Sequence, residues 1–124
     1  MNIPKDLLYS ETHEWVKLTD GGAVVGLTDY AQQSLGDIVF INLCLVGDTF
    51  SVGESLGDVE SIKAVSDIIS PLGGTVTKIN ERALEKPELI NEDPYGTWLV
   101  EMSVTDKSAL IGPEEYEELI ASGS

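Results

Sequence analysis

The chain has very few of the residues that build disulfides, metal sites and covalent catalytic centres. Its 124 residues include one cysteine, Cys44, and one histidine, His13. A single cysteine excludes an internal disulfide. One Cys and one His also speak against a zinc site or a cysteine–histidine nucleophile. Cys44 lies in the apolar run 39–45, so we expect its thiol to be buried and inert.

Positive charge is also scarce. Seven Lys and Arg face 22 Asp and Glu, which gives a net charge of −15. Phosphate binding needs clustered Lys and Arg, so we expect neither nucleic acid nor an anionic membrane as a partner. Partners with basic docking surfaces are favoured instead. No apolar run approaches membrane-spanning length, and residues 1–6 lack the pattern of a secretion signal or transit peptide. We therefore expect a cytoplasmic bacterial protein, or the mature form of a mitochondrial matrix protein.

Glycines at short intervals divide the chain into strand-like runs. Residues 15–18 and 23–27 flank the turn 20–22, which is a hairpin signal. Further strands are predicted at 37–45, 55–60, 65–70, 74–79 and 98–104. Many short strands separated by turns indicate a mainly β fold of small antiparallel sheets. The length suits one domain, spanning residues 1–124.

Two short helices interrupt the predicted strands. Residues 28–35 begin with a capping residue, Thr28, and are followed by Gly36. Residues 113–121 begin with Pro113 and early acids, which suits a helix N-terminus. The stretch 81–96 has no clear period and contains two prolines, so we expect a structured loop there.

Lys63 lies between the predicted strands 55–60 and 65–70. A lysine in that position is held at the tip of a hairpin, where a carrier protein would present a covalently attached arm. A solvated turn lysine fits the same spacing, because most lysines are exposed.

The residues around Lys63 add a more specific signal. The run Glu60-Ser61-Ile62-Lys63-Ala64 resembles the lipoyl attachment site of glycine cleavage system H proteins, usually Glu-Ser-Val-Lys-Ala. Further blocks resemble that family in the family's order: His13-Glu14-Trp15-Val16, Gly26-Leu27-Thr28-Asp29-Tyr30-Ala31-Gln32, Leu35-Gly36-Asp37-Ile38-Val39-Phe40, Ser70-Pro71-Leu72-Gly73-Gly74, the run from Pro87-Glu88 to Tyr95-Gly96, and Glu115-Tyr116-Glu117. The resemblance covers essentially the whole chain.

The resemblance implies a non-catalytic carrier with a barrel-sandwich hybrid fold of two small antiparallel sheets. Lys63 would carry lipoic acid as an amide. The arm would receive the aminomethyl group of glycine from glycine decarboxylase, the P-protein, and deliver it to the aminomethyltransferase, the T-protein. Dihydrolipoamide dehydrogenase, the L-protein, would then reoxidise it, and a lipoylating enzyme would attach the arm. We expect the carrier to be a monomer without a metal.

The resemblance also assigns roles to the neighbours of Lys63. Glu60, Ser61, Ala64 and Asp67 would be read by the lipoylating enzyme and the other partners, although acids on so acidic a protein need no function. Glu14 would line a cleft that receives the loaded arm, or it would be an exposed acid on an edge strand. We expect a structural role for His13. Four aromatic residues are expected in the core or the cleft wall: Trp15, Tyr30, Phe40 and Trp98.

Three departures from the family pattern are visible. Cys44 stands where the family usually has proline, Ile62 replaces valine, and Thr97-Trp98 follows Tyr95-Gly96 without the usual extra residues. A related carrier of another lipoyl-dependent route, such as sulfur oxidation or lipoyl relay, is the main alternative. Biotin carriers usually have Met-Lys-Met at the tip, and lipoyl domains of 2-oxoacid dehydrogenases are shorter and use Asp-Lys-Ala. An unmodified structural protein fits poorly with the intact attachment motif.

Overall fold

The computed structural model describes residues 1–123, which form antiparallel strands and short helices. The strands are β1 (Leu8–Tyr9), β2 (Glu14–Thr19), β3 (Gly22–Leu27), β4 (Ile38–Leu43), β5 (Thr49–Phe50), β6 (Ser55–Ser61), β7 (Val65–Ile69), β8 (Gly74–Ile79) and β9 (Val100–Met102). The helices are α1 (Asp29–Leu35), α2 (Glu81–Glu85), α3 (Leu89–Glu92) and α4 (Pro113–Ala121).

The strands form two sheets. The larger sheet has the order β1-β2-β3-β9-β8-β5, and the smaller one has the order β4-β6-β7. The β2–β3 hairpin pairs Trp15 with Gly26, and the β6–β7 hairpin pairs Glu60 with Val65. All these pairings are antiparallel, as expected from strands joined by short turns.

The apolar core draws side chains from both sheets and from the segments that connect them. Val25 and Val100 contribute from the larger sheet, and Leu56 and Ile68 from the smaller one, each at most 1% exposed. Leu72, in the connection between β7 and β8, is also fully buried. The two sheets are therefore held together by one shared apolar cluster, with the β6–β7 hairpin packed on it through one face.

The ends of α1 are defined by the residues that the sequence indicates. The hydroxyl of Thr28 accepts a hydrogen bond from the amide of Ala31 at 3.2 Å, which satisfies an otherwise unpaired helix donor. Gly36 ends the helix with φ +78°, a left-handed conformation that favours glycine. In α4, Pro113 occupies the first turn. No helix within residues 1–123 has both the length and the apolar character needed to cross a membrane.

The expected fold class is confirmed: the protein is mainly β, with two antiparallel sheets and helices close to 28–35 and 113–121. The expected loop at 81–96 is wrong, because it contains α2 and α3. Each is one or two turns long, too short to show a helical period in the sequence. The predicted strands 37–45 and 98–104 are shorter in the structure, at Ile38–Leu43 and Val100–Met102.

The prediction that Phe40 lies in the core or the cleft wall is wrong. Phe40 is 51% exposed, on β4 at the edge of the smaller sheet. Ile38 pairs with Ser61 and Phe40 with Glu60, so Val39 is an extra residue on β4. This bulge places Val39 and Phe40 outside while Ile38 stays buried.

Replacing Gly57 with alanine should destabilise the hairpin that carries Lys63. A Cβ at Gly57 would lie 2.0 Å from the carbonyl oxygen of Asn42 on β4, so backbone must move. We expect Gly57→Ala to lower the free energy of unfolding by about 1–3 kcal/mol. Gly21→Ala is the matched control, because nothing lies within 4 Å of its Cβ position. Urea unfolding measures both, and equal stability of the two variants would contradict the close approach.

Candidate functional site

Lys63 occupies the tip of the β6–β7 hairpin and is exposed, as the sequence predicts. The amide of Ser61 donates to the carbonyl of Ala64 at 2.8 Å, which closes the turn. The Ser61 hydroxyl oxygen accepts from the amides of Lys63 at 3.3 Å and Ala64 at 3.1 Å. Ser61 is only 8% exposed, so its hydroxyl stabilises the turn from inside while Lys63 points outward.

The side chain of Lys63 lies against the end of α1. A Cβ placed on Gly36 would lie 3.4 Å from Cε of Lys63. The amide of Ile62 donates to the carbonyl of Asp37 at 3.0 Å, which ties the hairpin tip to the segment after the helix. Gly36 therefore provides the left-handed backbone at this point, and an added Cβ would only come into ordinary van der Waals contact with the lysine.

Asn91 on α3 holds this segment in place, although sequence reasoning gave it no role. Its side-chain amide donates to the carbonyl of Gly36 at 2.9 Å and to Oε1 of Gln32 at 3.0 Å. Its side-chain oxygen accepts from the amide of Ile38 at 2.9 Å. The only sequence signal was its place in the block around 87–96, which does not reveal what it contacts.

Glu60 and Asp67 are not equally close to the tip. Glu60 pairs with Val65, directly beside the Ser61–Ala64 closure, and is exposed. Asp67 pairs with Asp58, two residue pairs further from Lys63. Asp67 instead lies along a cleft between the hairpin and α1.

Glu14, at the start of β2, is a buried acid. It is 1% exposed, so the interpretation as an exposed edge-strand acid is wrong. Its Oε1 accepts hydrogen bonds from the hydroxyls of Thr12 at 2.5 Å and Ser10 at 2.7 Å, and its Oε2 accepts from the amide of Ile69 at 3.4 Å. Burial raises the pKa of the Glu14 carboxyl to about 7, and the hydrogen bonds from Thr12 and Ser10 limit that rise.

Glu14 lies in the wall of a cleft of about 140 Å³. Its lining combines apolar side chains from α1 and the core with polar side chains. The lining residues are Thr12, His13, Glu14, Leu27, Tyr30, Ala31, Ser34, Leu35, Val59, Ser66 and Asp67. Leu35 is the residue before Gly36, against which Lys63 packs. The lining of the cleft therefore includes both the neighbour of the glycine that Lys63 contacts and the buried carboxylate of Glu14.

His13 has a structural role at this cleft, as the sequence suggests. Its Nδ1 lies 2.9 Å from the hydroxyl of Tyr116, and its ring packs on Tyr30 at 4.5 Å between centroids. It adopts φ +73°, which places it in the tight turn before β2. Cys44 is half-buried rather than buried as expected, and burial raises the pKa of its thiol, which disfavours the reactive thiolate. Within residues 1–123, no three His, Cys, Asp or Glu side chains are grouped to hold a metal ion.

Comparison with known proteins identifies the family. The model of the family described as glycine cleavage H-protein matches residues 7–123. The chain belongs to the glycine cleavage H-protein family. The matched region contains the hairpin of Lys63, Glu14 and the cleft between them.

Individual members of the family are similar over almost their whole length. A glycine cleavage system H protein of Carboxydothermus hydrogenoformans is 48% identical, covering 95% of this chain and 94% of the relative. One of Listeria monocytogenes is 49% identical, covering 97% and 99%. The crystal structure of a glycine cleavage system H protein from Mycobacterium marinum has a TM-score of 0.92 and 40% identity, covering 96% of this chain and 99% of that one.

The raised pKa of Glu14 predicts a pH-dependent loss of stability that Glu14→Gln should remove. The folded-state pKa of about 7 lies above the ordinary value of 4.5, so the folded protein holds this proton more tightly than the unfolded chain. The resulting stabilisation is full below pH 4.5 and is lost as the pH rises through about 7. Relative to Glu14→Gln, the wild type should lose about 3 kcal/mol between pH 4.5 and 8.5.

Urea unfolding of both proteins across this pH range measures the difference. The other carboxylates titrate in both proteins and cancel in the comparison. Parallel stability curves would mean that Glu14 has an ordinary pKa. A carbon-13 NMR titration of the Glu14 carboxyl provides an independent value.

Proposed function

We propose that this chain is a lipoyl-bearing carrier of the glycine cleavage system, with the lipoyl group attached to Lys63. It would pass the aminomethyl group of glycine from glycine decarboxylase to the aminomethyltransferase, and dihydrolipoamide dehydrogenase would reoxidise it. The observation that supports this best is an exposed lysine at a hydrogen-bonded hairpin tip, near a cleft whose lining includes a buried carboxylate. The family membership supports the same pathway.

The residues around Lys63 fit an acylated lysine. Amide formation removes the positive charge of the lysine, and the apolar wall of the cleft offers an uncharged chain a place to pack. That wall comes from Leu27, Ala31, Leu35 and Val59. A volume of about 140 Å³ corresponds to about four or five water molecules, since each occupies about 30 Å³ in the liquid. The cleft therefore suits the far end of an arm, with the rest lying along its mouth.

When attached, the lipoyl group supplies a disulfide that can accept and release a one-carbon unit. The chain's own residues position the arm and shield its end from water. Glu14 would face the cationic amine of the aminomethyl group, and a positive partner would favour the ionised carboxylate despite its burial. The hydroxyls of Ser10 and Thr12 keep that carboxylate oriented.

The residues at the tip provide recognition rather than chemistry. Ser61 and Ala64 shape the turn, and Glu60 adds an exposed charge beside the lysine. Asp67 lies further along the cleft, where it could guide a cationic arm. We propose that the whole chain acts as one monomeric carrier, and that the bond-making groups are supplied by its partners.

Lys63→Arg should abolish lipoylation without changing the fold. Arginine retains the positive charge of this exposed side chain but cannot form the amide. After incubation with a lipoylating enzyme, lipoate and ATP, intact mass should show one lipoyl addition on the wild type and none on the variant. Lys86→Arg, another exposed lysine, should be modified like the wild type. Wild-type lipoylation of Lys63→Arg would overturn the proposed function.

Glu14→Ala should accelerate the spontaneous loss of the aminomethyl group from the loaded carrier. A hydrogen bond between charged groups contributes about 1.5–3 kcal/mol, so the release rate should rise at least about tenfold. Loaded proteins are separated from glycine decarboxylase, and the release of ammonia and formaldehyde is followed. Glu11→Ala is the control, because Glu11 is an exposed acid three residues away. Equal release from all three proteins would show that Glu14 does not protect the arm.

A further inference from the structure

An apolar patch surrounds Lys63 on the outside of the smaller sheet. Val39, Phe40, Ile62 and Val65 are 52%, 51%, 71% and 64% exposed, respectively. We refer to these four residues as the tip patch. None of them contributes to the cleft. Clustered exposed apolar side chains on a soluble fold mark surfaces that another molecule covers.

The strand register explains why these residues flank the lysine. Phe40 pairs with Glu60, and Glu60 pairs with Val65, so the three side chains share one face of the sheet. Val39 is the extra residue of the β4 bulge, next to Phe40. Ile62 directly precedes Lys63 in the turn. Two residues of β4 are thus brought to the same surface as two residues of the distant β6–β7 hairpin, around its tip.

Acidic side chains border the tip patch. Glu60 lies between Phe40 and Val65, and exposed Asp37 accepts the amide of Ile62 through its carbonyl, which places it beside the turn. Asp58 lies two residues before Glu60, on the same face of β6. A complementary surface would therefore be apolar at its centre and rimmed by Lys and Arg.

We propose that the tip patch is the docking surface for the enzyme that attaches the acyl group to Lys63, an inference that rests on the proposed function. That enzyme would present an apolar contact area surrounded by basic side chains. It would read the folded surface contributed by β4 as well as the sequence motif around the lysine.

The short length of the lysine side chain favours the acyl-attaching enzyme as the partner that covers the tip patch. In the attachment step, Nζ of the neutral amine forms a bond to the carbonyl carbon of an acyl adenylate. The bond between that carbon and the phosphate oxygen breaks, AMP leaves with the electron pair, and the amine loses a proton. The two reacting atoms must come within about 3–3.5 Å. A lysine side chain reaches only about 6 Å from its Cα, so the residues beside it must enter the enzyme interface.

Other occupants fit this geometry less well. Enzymes that act on the far end of the arm meet it about a dozen bonds from the backbone, and need not cover the base of the hairpin. A second copy of the chain would bring a matching acidic border against this one, which like charges oppose.

The test compares two double variants in acylation by a lipoate–protein ligase with lipoate and ATP. Phe40→Thr/Val65→Thr removes apolar surface from the tip patch while placing threonine, a residue that favours strands, at both positions. Leu45→Thr/Val46→Thr is the matched control, since those residues are 72% and 60% exposed but lie outside the patch. Intact mass gives initial rates at varied carrier concentration. We expect KM to rise about tenfold in the patch variant with kcat within twofold, and no change in the control.

The dependence of KM on ionic strength provides a second readout, which is measured first on the wild-type protein. Raising salt from 0.05 to 0.5 M shortens the range of charge interactions, so KM of the wild type should rise several-fold. Glu60→Gln should weaken this salt dependence. Thermal unfolding confirms that each variant is folded, and Val65→Thr alone replaces the double variant if that one is not. A KM independent of salt would overturn the complementary basic rim.

The outcomes separate this inference from the proposed function. Absence of acylation on the wild type would overturn both. Acylation of the wild type with an unchanged KM for the patch variant would overturn this inference alone. The disulfide of the fully acylated patch variant should be reduced at the wild-type rate by NADH, which supplies the two electrons through dihydrolipoamide dehydrogenase run in reverse. If the patch variant lost as much activity in this reduction as in acylation, the patch would be a general docking surface and the inference would be overturned. Concentration-dependent dimerisation through the patch would overturn it as well, by assigning the patch to a second copy of the chain.

Discussion

The alternation of side chains along β6 is the constraint on which the rest of the structure depends. Val59 and Ser61 point inward, whereas Glu60 between them points to solvent. Because Ser61 is the last inward residue, its hydroxyl meets the backbone of the turn and leaves Lys63 free to project. A slip of one residue would exchange the two faces, burying Glu60 and removing Ser61 from the turn. The irregular pairing at Gly57, where β4 approaches closely, fixes this register.

Glu14 links the two sheets in the wall of the cleft. It belongs to β2 of the larger sheet, and it accepts a hydrogen bond from Ile69 on β7 of the smaller one. Burying a carboxylate is costly even when donors surround it, and a core built only for stability would place an apolar residue there. The cost is understandable if the carboxylate serves a ligand, as proposed above; in the structure, one residue both joins the two sheets and lines the cleft.

Local sequence signals were enough for Lys63, Thr28 and Gly36, because a turn, a cap and a helix end are defined by neighbouring residues. The burial of Glu14 was not predictable in this way, since it depends on Ile69, 55 residues away. The burial of Phe40 was predicted wrongly for a related reason. An apolar run in the sequence indicates a buried strand, and only the sheet order shows that β4 is an edge strand with a bulge. The role of Asn91 likewise requires the packing of α3 against the end of α1.

The hydroxyl of Tyr116 on α4 lies 2.9 Å from Nδ1 of His13 and 2.8 Å from Oγ1 of Thr28. The ring stacks on Tyr9 at 4.6 Å and is fully buried. His13 lines the cleft, and Thr28 caps the helix that forms its apolar wall. The last helix therefore holds both sides of the cleft from behind. Immobilising the protein through its carboxyl end, as on a sensor surface or a pulling apparatus, would apply mechanical load directly to the walls of this cleft.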